Sequence, residues 1–305
     1  MRDEGGVNVD AEIRVQQTPD LCTMLIDSLE QRWRKYLKEL RLCKKTTPEE
    51  SVHNVRVATR RLIATLAIIE LVLPCERVRR MRGGLKRLFD SFSLLRDTQV
   101  QLMMLERDSI EHPELETLLT VLRIRERNLT KTVTDRVKRI ETSLLSRTVR
   151  AVKTALRLHF SRPIMRETGM AAVMGVIASR FMRAALCKVQ VIATQTKTMH
   201  RARIAFKKFR YTVEAILPLF PELTSEQLKA MDAYQTRLGN VQDAETLQVV
   251  VRRFAQKRNL SSRKKLSAYQ RELVLRKREL VTTYMQSADE VYRFWQSSIT
   301  PPSMR

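Results

Sequence analysis

A ten-residue segment occurs twice in this chain, and that repeat constrains the fold more than any other feature of the sequence. The copies begin at His53 and His200, which lie 147 residues apart in a chain of 305. A duplicated structural unit accounts for such a repeat. The two copies read His53-Asn54-Val55-Arg56-Val57-Ala58-Thr59-Arg60-Arg61-Leu62 and His200-Arg201-Ala202-Arg203-Ile204-Ala205-Phe206-Lys207-Lys208-Phe209.

A second pair of matching segments follows at nearly the same offset. The first half contains Leu94-Leu95-Arg96-Asp97, and the second contains Asn240-Val241-Gln242-Asp243. The interval from the histidine to the aspartate is 44 residues in one half and 43 in the other. Two independent matches at almost one offset favour duplication over chance.

Each copy of the repeat predicts a helix with one basic and one apolar face. At 100° per residue, basic residues three and seven positions after the histidine fall with it inside an arc of about 60°. A solvated basic face explains either stripe alone, but their repetition in register, histidine included, favours binding of a polyanion. The basic stripes are His53, Arg56 and Arg60, and His200, Arg203, Lys207 and Arg210; the apolar faces are Val55, Ala58, Leu62, Leu66 and Ile69, and Ala202, Ala205, Phe209, Val213 and Ile216.

The composition predicts an all-α protein. Only 7 Gly and 9 Pro occur, and apolar residues recur at helical spacing almost continuously from Pro19 to Trp295. The pattern predicts helices at 19–44, 48–73, 76–108, 114–159, 169–196, 198–219, 224–257 and 262–297.

Local signals mark several boundaries. Thr47-Pro48-Glu49-Glu50 has the order of a capping box with a proline in the first turn, and Thr224 with Gln227 repeats the box. Gly83-Gly84 is a candidate kink, and Arg162-Pro163 indicates a connection between two halves. The predicted organisation is a flexible segment at 1–17, a helical domain at 18–297 with halves 18–159 and 164–297, and a tail at 298–305.

The net charge of the chain points to an anionic partner. The 57 Lys and Arg outnumber the 33 Asp and Glu to give +24, a self-repulsion that a bound polyanion relieves. Aromatic residues make up only 6%, whereas proteins that bind single-stranded nucleic acid usually stack its bases on aromatic rings. High charge that serves solubility alone is the competing interpretation.

The remaining composition favours a cytoplasmic protein without a metal or membrane segment. The four cysteines, Cys22, Cys43, Cys75 and Cys187, have neither disulfide-framework nor zinc-site spacing. No apolar run approaches the length needed to span a bilayer, and the first 17 residues lack the apolar region of a signal peptide.

At the repeated motifs the sequence resembles the CHAD family, the conserved-histidine α-helical domain. The resemblance covers roughly residues 18 to 297 and rests on Val52-His53-x-x-Arg56-Val57-Ala58-x-Arg60-Arg61, on Met199-His200-x-x-Arg203-Ile204-Ala205-x-Lys207-Lys208-x-Arg210-Tyr211, and on the segments that end in Asp97 and Asp243. It implies a duplicated pair of four-helix bundles with pseudo-two-fold symmetry around a basic cavity or pore that binds inorganic polyphosphate.

Two positions depart from the family pattern. Ile63 stands where the first copy usually has arginine, and Ser93 stands where the second motif usually has glycine. The Glu-x-Glu-x-Lys signature of the CYTH domain, which many relatives also carry, is not found; Glu114-Leu115-Glu116 lacks the following basic residue. The chain therefore resembles a stand-alone CHAD protein.

The predicted site contains four groups of residues. Arginines would donate bidentate hydrogen bonds to phosphate oxygens, lysines would act as mobile point charges, and the histidines would gain protons beside an anion. Asp97 and Asp243 would hold these cations in place, and ordinary structural ion pairs are an equal alternative. The predicted polyphosphate-binding residues are His53, Arg56, Arg60, Arg61, Lys86, His200, Arg203, Lys207, Lys208, Arg210 and Lys229.

No catalytic or cofactor motif stands out, so the sequence predicts binding without turnover. Three alternatives remain: a nucleic-acid-binding protein, for which +24 guarantees nonspecific affinity, a phosphatase that acts on polyphosphate, and a scaffold recruited to polyphosphate granules. Protein partners are not indicated.

Overall fold

The computed structural model describes residues 20–45, 49–257 and 260–294, and these residues are almost entirely helical, without a β-strand among them. The predicted all-α fold is confirmed. Short 3₁₀ turns lie at Pro113–Leu115, Leu217–Leu219 and Ala288–Phe294. The α-helices of this part of the chain are α1 (Leu21–Lys45), α2 (Glu49–Val72), α3 (Glu76–Ser91), α4 (Ser93–Asp108), α5 (Glu116–Lys138), α6 (Thr142–Phe160), α7 (Pro163–Val189), α8 (Thr196–Ala215), α9 (Ser225–Gln256) and α10 (Leu260–Ser287).

Two predicted helices are each divided in the structure. The helix expected at 76–108 breaks at Phe92 and not at Gly83-Gly84, which lie inside α3. Phe92 is fully buried and its N–H bonds to the carbonyl of Phe89, three residues back, so a buried side chain fixes the turn. The helix expected at 114–159 is divided between α5 and α6, where the side chain of Lys44 donates to the carbonyl of Ile140 at 3.0 Å.

Other boundary signals had mixed outcomes. Pro163, expected in a connection, begins α7, because a helix tolerates proline in its first turn, where no N–H donor is needed. The capping box of α9 is confirmed, since the Gln227 N–H donates to Thr224 Oγ1 at 3.2 Å and the Thr224 N–H donates to Gln227 Oε1 at 2.8 Å. Thr47 and Pro48, the segment 1–17 and the tail 298–305 lie outside the described residues.

One hydrophobic core extends across both halves of the chain. Buried side chains of α1, α2, α3 and α6 join those of α7, α8 and α9 in a continuous cluster, and α2 packs directly against α8. A smaller cluster joins α4 and α5 to α9 and α10. The halves therefore fold on each other and not around separate cores.

A polar network fastens this smaller cluster. The carboxylate of Asp108 accepts hydrogen bonds from the Tyr269 hydroxyl at 2.7 Å and from Arg276 at 2.6 Å. His112 Nε2 lies 2.6 Å from Glu272 Oε2. Since Asp108 ends α4, His112 follows it in the first half and the other three residues belong to α10, the network ties the two halves together.

By length and composition, helix α7 could cross a membrane, contrary to the expectation that no apolar run approaches the length needed to span a bilayer. Core helices of globular proteins meet the same criterion. Val173 and Ile177 are fully buried in the shared core, Phe181 is nearly so, and Met182 and Val189 are exposed.

Substitutions of the two glycines of α7 by alanine are expected to change the free energy of unfolding in opposite directions. A Cβ atom at Gly169 would lie 2.8 Å from Cε1 of the buried Phe160 ring and 3.3 Å from Leu21 Cδ2, whereas a Cβ atom at Gly175 would meet nothing within 4 Å. We expect Gly169→Ala to lower the free energy of unfolding by about 1–3 kcal/mol through overpacking.

Gly175→Ala is the matched control and should raise the free energy of unfolding by about 0.5–1 kcal/mol, because alanine costs less conformational entropy in a helix. Urea unfolding followed by circular dichroism measures both changes. Equal effects of the two substitutions would contradict the packing of α6 on α7.

Candidate functional site

The site is built on the packing of α2 against α8. The ten apolar positions predicted from the two copies of the repeat are all buried, so the helical-wheel prediction is confirmed. The buried faces fix the rotation of both helices about their axes, and their basic stripes consequently meet where the two helices are in contact.

Four cations from the two stripes converge in this way, and we refer to Arg56, Arg60, Arg203 and Lys207 as the cation cluster. Burial, together with the charges of the other three members, lowers the pKa of Lys207 to about 7, while Asp243 opposes the shift. Burial likewise lowers the pKa of Arg56 to about 10. The cluster is short of both water and counter-charge, which are the conditions under which an anion binds strongly.

Arg56 is held by the junction between α3 and α4. Its guanidinium donates to the Phe89 carbonyl at 3.2 Å and to Ser93 Oγ at 3.3 Å, and it lies 4.5 Å from the centre of the Phe89 ring. Ser93, the departure from the family pattern, therefore supplies a hydrogen bond that glycine does not.

Arg60 is positioned by an aromatic ring. Its guanidinium lies 4.4 Å from the centre of the Tyr211 ring, a cation–π contact. Within the described part of the chain, neither Arg60 Nε nor the Tyr211 hydroxyl has a hydrogen-bond partner, although both atoms are buried. An incoming acceptor would relieve this deficit.

A cavity of about 230 Å³ lies at the histidine end of α8. The side-chain amide oxygen of Gln101 is buried and lacks a hydrogen-bond partner among the described residues. The walls come from α4, α8 and α9, and therefore from both halves of the chain. They are Asp97, Val100, Gln101, His200, Arg203, Gln242, Asp243 and Thr246.

The two repeated aspartates face the same cavity. Burial raises the pKa of Asp243, Arg203 opposes this effect, and Asp97 adds to it by repulsion. The four cations of the cluster outnumber the two carboxylates beside them.

The histidines of the two copies differ in their environment. His200 lines the cavity and its Nδ1 contacts the amide oxygen of Gln242. If Nδ1 donates to Gln242, Nε2 can donate to a phosphate only in the imidazolium form. His53 has an exposed side chain at the start of α2.

The other predicted ligands are paired with acids or have exposed side chains. Arg61 pairs with Glu214 at 3.1 Å, and Arg210 is paired with both Glu214 and Asp232. Lys86 is exposed and pairs with Asp90 at 2.9 Å on the same helix. Lys208 and Lys229 have exposed side chains.

Several residues of the site were not identified from the sequence. Tyr211 and Gln242 lie inside the two repeated motifs, and this position in the sequence could have identified them as residues of the site. Gln101 follows Asp97 by one helical turn. Glu214 follows Arg210 by one turn on α8, a spacing that predicts an ion pair.

Comparison with known proteins agrees with this architecture. The model of the CHAD domain matches residues 27–252. The crystal structure of the CHAD domain from the plant Ricinus communis superimposes with a TM-score of 0.60 at 17% identity, covering 92% of this chain and 93% of that one. PptA from Streptomyces chartreusis gives a TM-score of 0.61 at 14% identity, covering 89% and 99%. No curated protein sequence matches the chain.

Because four cations are crowded together, we expect the site to lower the free energy of unfolding of the free protein. We expect Lys207→Met to raise the free energy of unfolding by about 1 kcal/mol, because it removes a like charge from a poorly hydrated cluster. The gain should be largest below pH 7, where Lys207 is charged in the folded protein. It should decline as the pH rises toward the ordinary lysine value of about 10.4.

Urea unfolding at several pH values measures this effect. Lys208→Met is the control, since it removes the same charge from an exposed neighbouring position and should change stability by less than about 0.5 kcal/mol. A loss of stability in Lys207→Met at pH 6 would contradict the crowding.

Proposed function

This chain belongs to the CHAD domain family, and on that premise we propose that it binds inorganic polyphosphate in the cavity beside the cation cluster. The observation that carries the proposal is the convergence of Arg56, Arg60, Arg203 and Lys207 from two halves of the chain. Such a cluster lowers the stability of the free protein and is relieved by a multivalent anion.

The chemistry of the cluster suits consecutive phosphates. The guanidinium groups of Arg56 and Arg203 are suited to charge-assisted, bidentate hydrogen bonds with phosphate oxygens. Arg60 Nε and the Tyr211 hydroxyl are buried donors without a partner among the described residues. Lys207 adds a charge that phosphate would restore, because a neighbouring anion raises the pKa of an amine.

The shape of the site favours a bare phosphate chain over nucleic acid. The cavity measures about 230 Å³, which admits a single unbranched chain and excludes a duplex. Tyr211 is 8% exposed and its ring is covered by Arg60, so it offers no open surface for base stacking.

We propose binding without turnover, in the cytoplasm, with polyphosphate granules as a candidate location. The chemistry of the cation cluster supports this role, since its arginines and lysine are donors to phosphate oxygens. Steady release of orthophosphate from polyphosphate in the presence of Mg²⁺ or Mn²⁺ would instead establish catalysis.

Calorimetric titration tests the proposal. Wild-type protein should bind long-chain polyphosphate more tightly than duplex DNA, RNA or heparin at equal charge concentration. Arg56→Ala/Arg203→Ala should weaken polyphosphate binding by about 100-fold or more, since each charge-assisted hydrogen bond contributes about 1.5–3 kcal/mol.

Arg125→Ala/Arg147→Ala removes two exposed arginines outside the site and serves as the charge-matched control. It should reproduce the affinity of the wild type to within a few-fold. Equal affinity for all four polyanions, unaffected by either double substitution, would rule out a specific site.

Binding should also depend on pH through Lys207. Its pKa in the free protein is about 7, and a bound polyanion raises it, so binding above pH 7 takes up a proton. Affinity should therefore fall as the pH rises above 7, by at most tenfold per pH unit from this group, and should not depend on it well below pH 7.

Titrations in buffers of different ionisation enthalpy measure the proton uptake at pH 8. Lys207→Arg keeps the positive charge and should bind polyphosphate with a flatter pH profile and less proton uptake. Identical profiles for the variant and the wild type would show that Lys207 does not titrate on binding.

A further inference from the structure

The basic stripe of α8 ends in an acid. His200, Arg203, Lys207 and Arg210 are followed by Glu214, which continues the spacing of three and four residues and lies on the same face. In the first half the position equivalent to Glu214, at the offset of 147, is an alanine. The acid is thus a property of the second half alone.

Glu214 is surrounded by arginines. Its carboxylate accepts from Arg61 at 3.1 Å and from Arg210 at 2.9 Å, and its backbone carbonyl accepts from Arg32 at 3.0 Å. The side chain of Glu214 is only 12% exposed. One buried carboxylate therefore engages cations of α2 and α8, and its backbone holds a third cation from α1.

The charge of the surrounding side chains changes beyond Glu214. A second cavity, of about 520 Å³, lies at this end of α8. Its charged walls include the acids Asp27, Glu30 and Glu214 beside Arg32 and Arg34. The purely cationic cluster thus gives way to a cavity with walls of mixed charge, where the three acids oppose the entry of a polyanion.

We propose that Glu214 ends the polyphosphate path, so that a chain enters at the His200 cavity, lies along the cation cluster and stops before Arg210. This inference rests on the proposed function and adds a residue that sets how many phosphates the site engages. Arg61 and Arg210 are the cations that Glu214 withholds from the ligand.

Removing the carboxylate charge tests the proposal. In Glu214→Gln, Arg61 becomes available and Arg210 keeps only its pair with the exposed Asp232, so the path lengthens by about one to two phosphate contacts. By analogy with single-stranded nucleic acid, at about 0.7 counterion per contact, the slope of log K against log salt should steepen by about 0.7 to 1.4. Affinity for long-chain polyphosphate at low salt should rise about tenfold or more, while affinity for inorganic triphosphate should stay within twofold.

Glu167→Gln is the control, because it makes the same change in net charge at an exposed position on α7. Parallel salt dependences for Glu214→Gln, Glu167→Gln and the wild type would overturn the inference and leave the proposed function intact. Failure of the wild type to bind polyphosphate would instead overturn the proposed function.

The wild type provides a second test if Glu214→Gln does not fold. Four to five contacts, from the cation cluster and His200, predict a slope of about −3 for polyphosphate. A slope between about −4 and −5 would mean that Arg61 and Arg210 already bind the ligand, and the inference would be overturned.

Discussion

The structure depends on the burial of the apolar faces of α2 and α8 against other helices of the core, which leaves the cationic faces of the two helices directed at each other. Val55, Ala58 and Leu62 of α2 and their equivalents on α8 are buried, and the hydrophobic effect contributes about 1.5–3 kcal/mol for each large side chain fully removed from water. That packing is strong enough to hold like charges close together. The position of the site therefore follows from the packing of the core. The stability gained from that packing offsets the repulsion among the cations.

The same arrangement explains why the cluster is reactive toward anions and not neutralised from within. Asp97 and Asp243 line the neighbouring cavity, but these two carboxylates are outnumbered by the four cations of the cluster. Glu214 behaves differently, since it is enclosed by arginines. The position of each acid relative to the cations decides whether a cation stays available to a ligand.

Most of the fold could be predicted from the sequence because helical periodicity and capping are local. The predicted helix 48–73 corresponds to α2, and the box at Thr224 caps α9. The break at Phe92 and the first-turn position of Pro163 were missed. The Phe92 break depends on a side chain buried by distant elements, whereas proline is compatible with either a connection or a first turn.

The sequence by itself determined which residues share a helical face, and therefore that His200, Arg203 and Lys207 lie on one stripe opposite a buried one. Only the tertiary structure decided which cations act together. Arg61 and Arg60 are adjacent in sequence, yet Arg61 pairs with Glu214, 153 residues away, while Arg60 stacks on Tyr211 and joins the cluster. Periodicity fixes direction around one helix axis, whereas charge neutralisation depends on distances between helices that only packing sets.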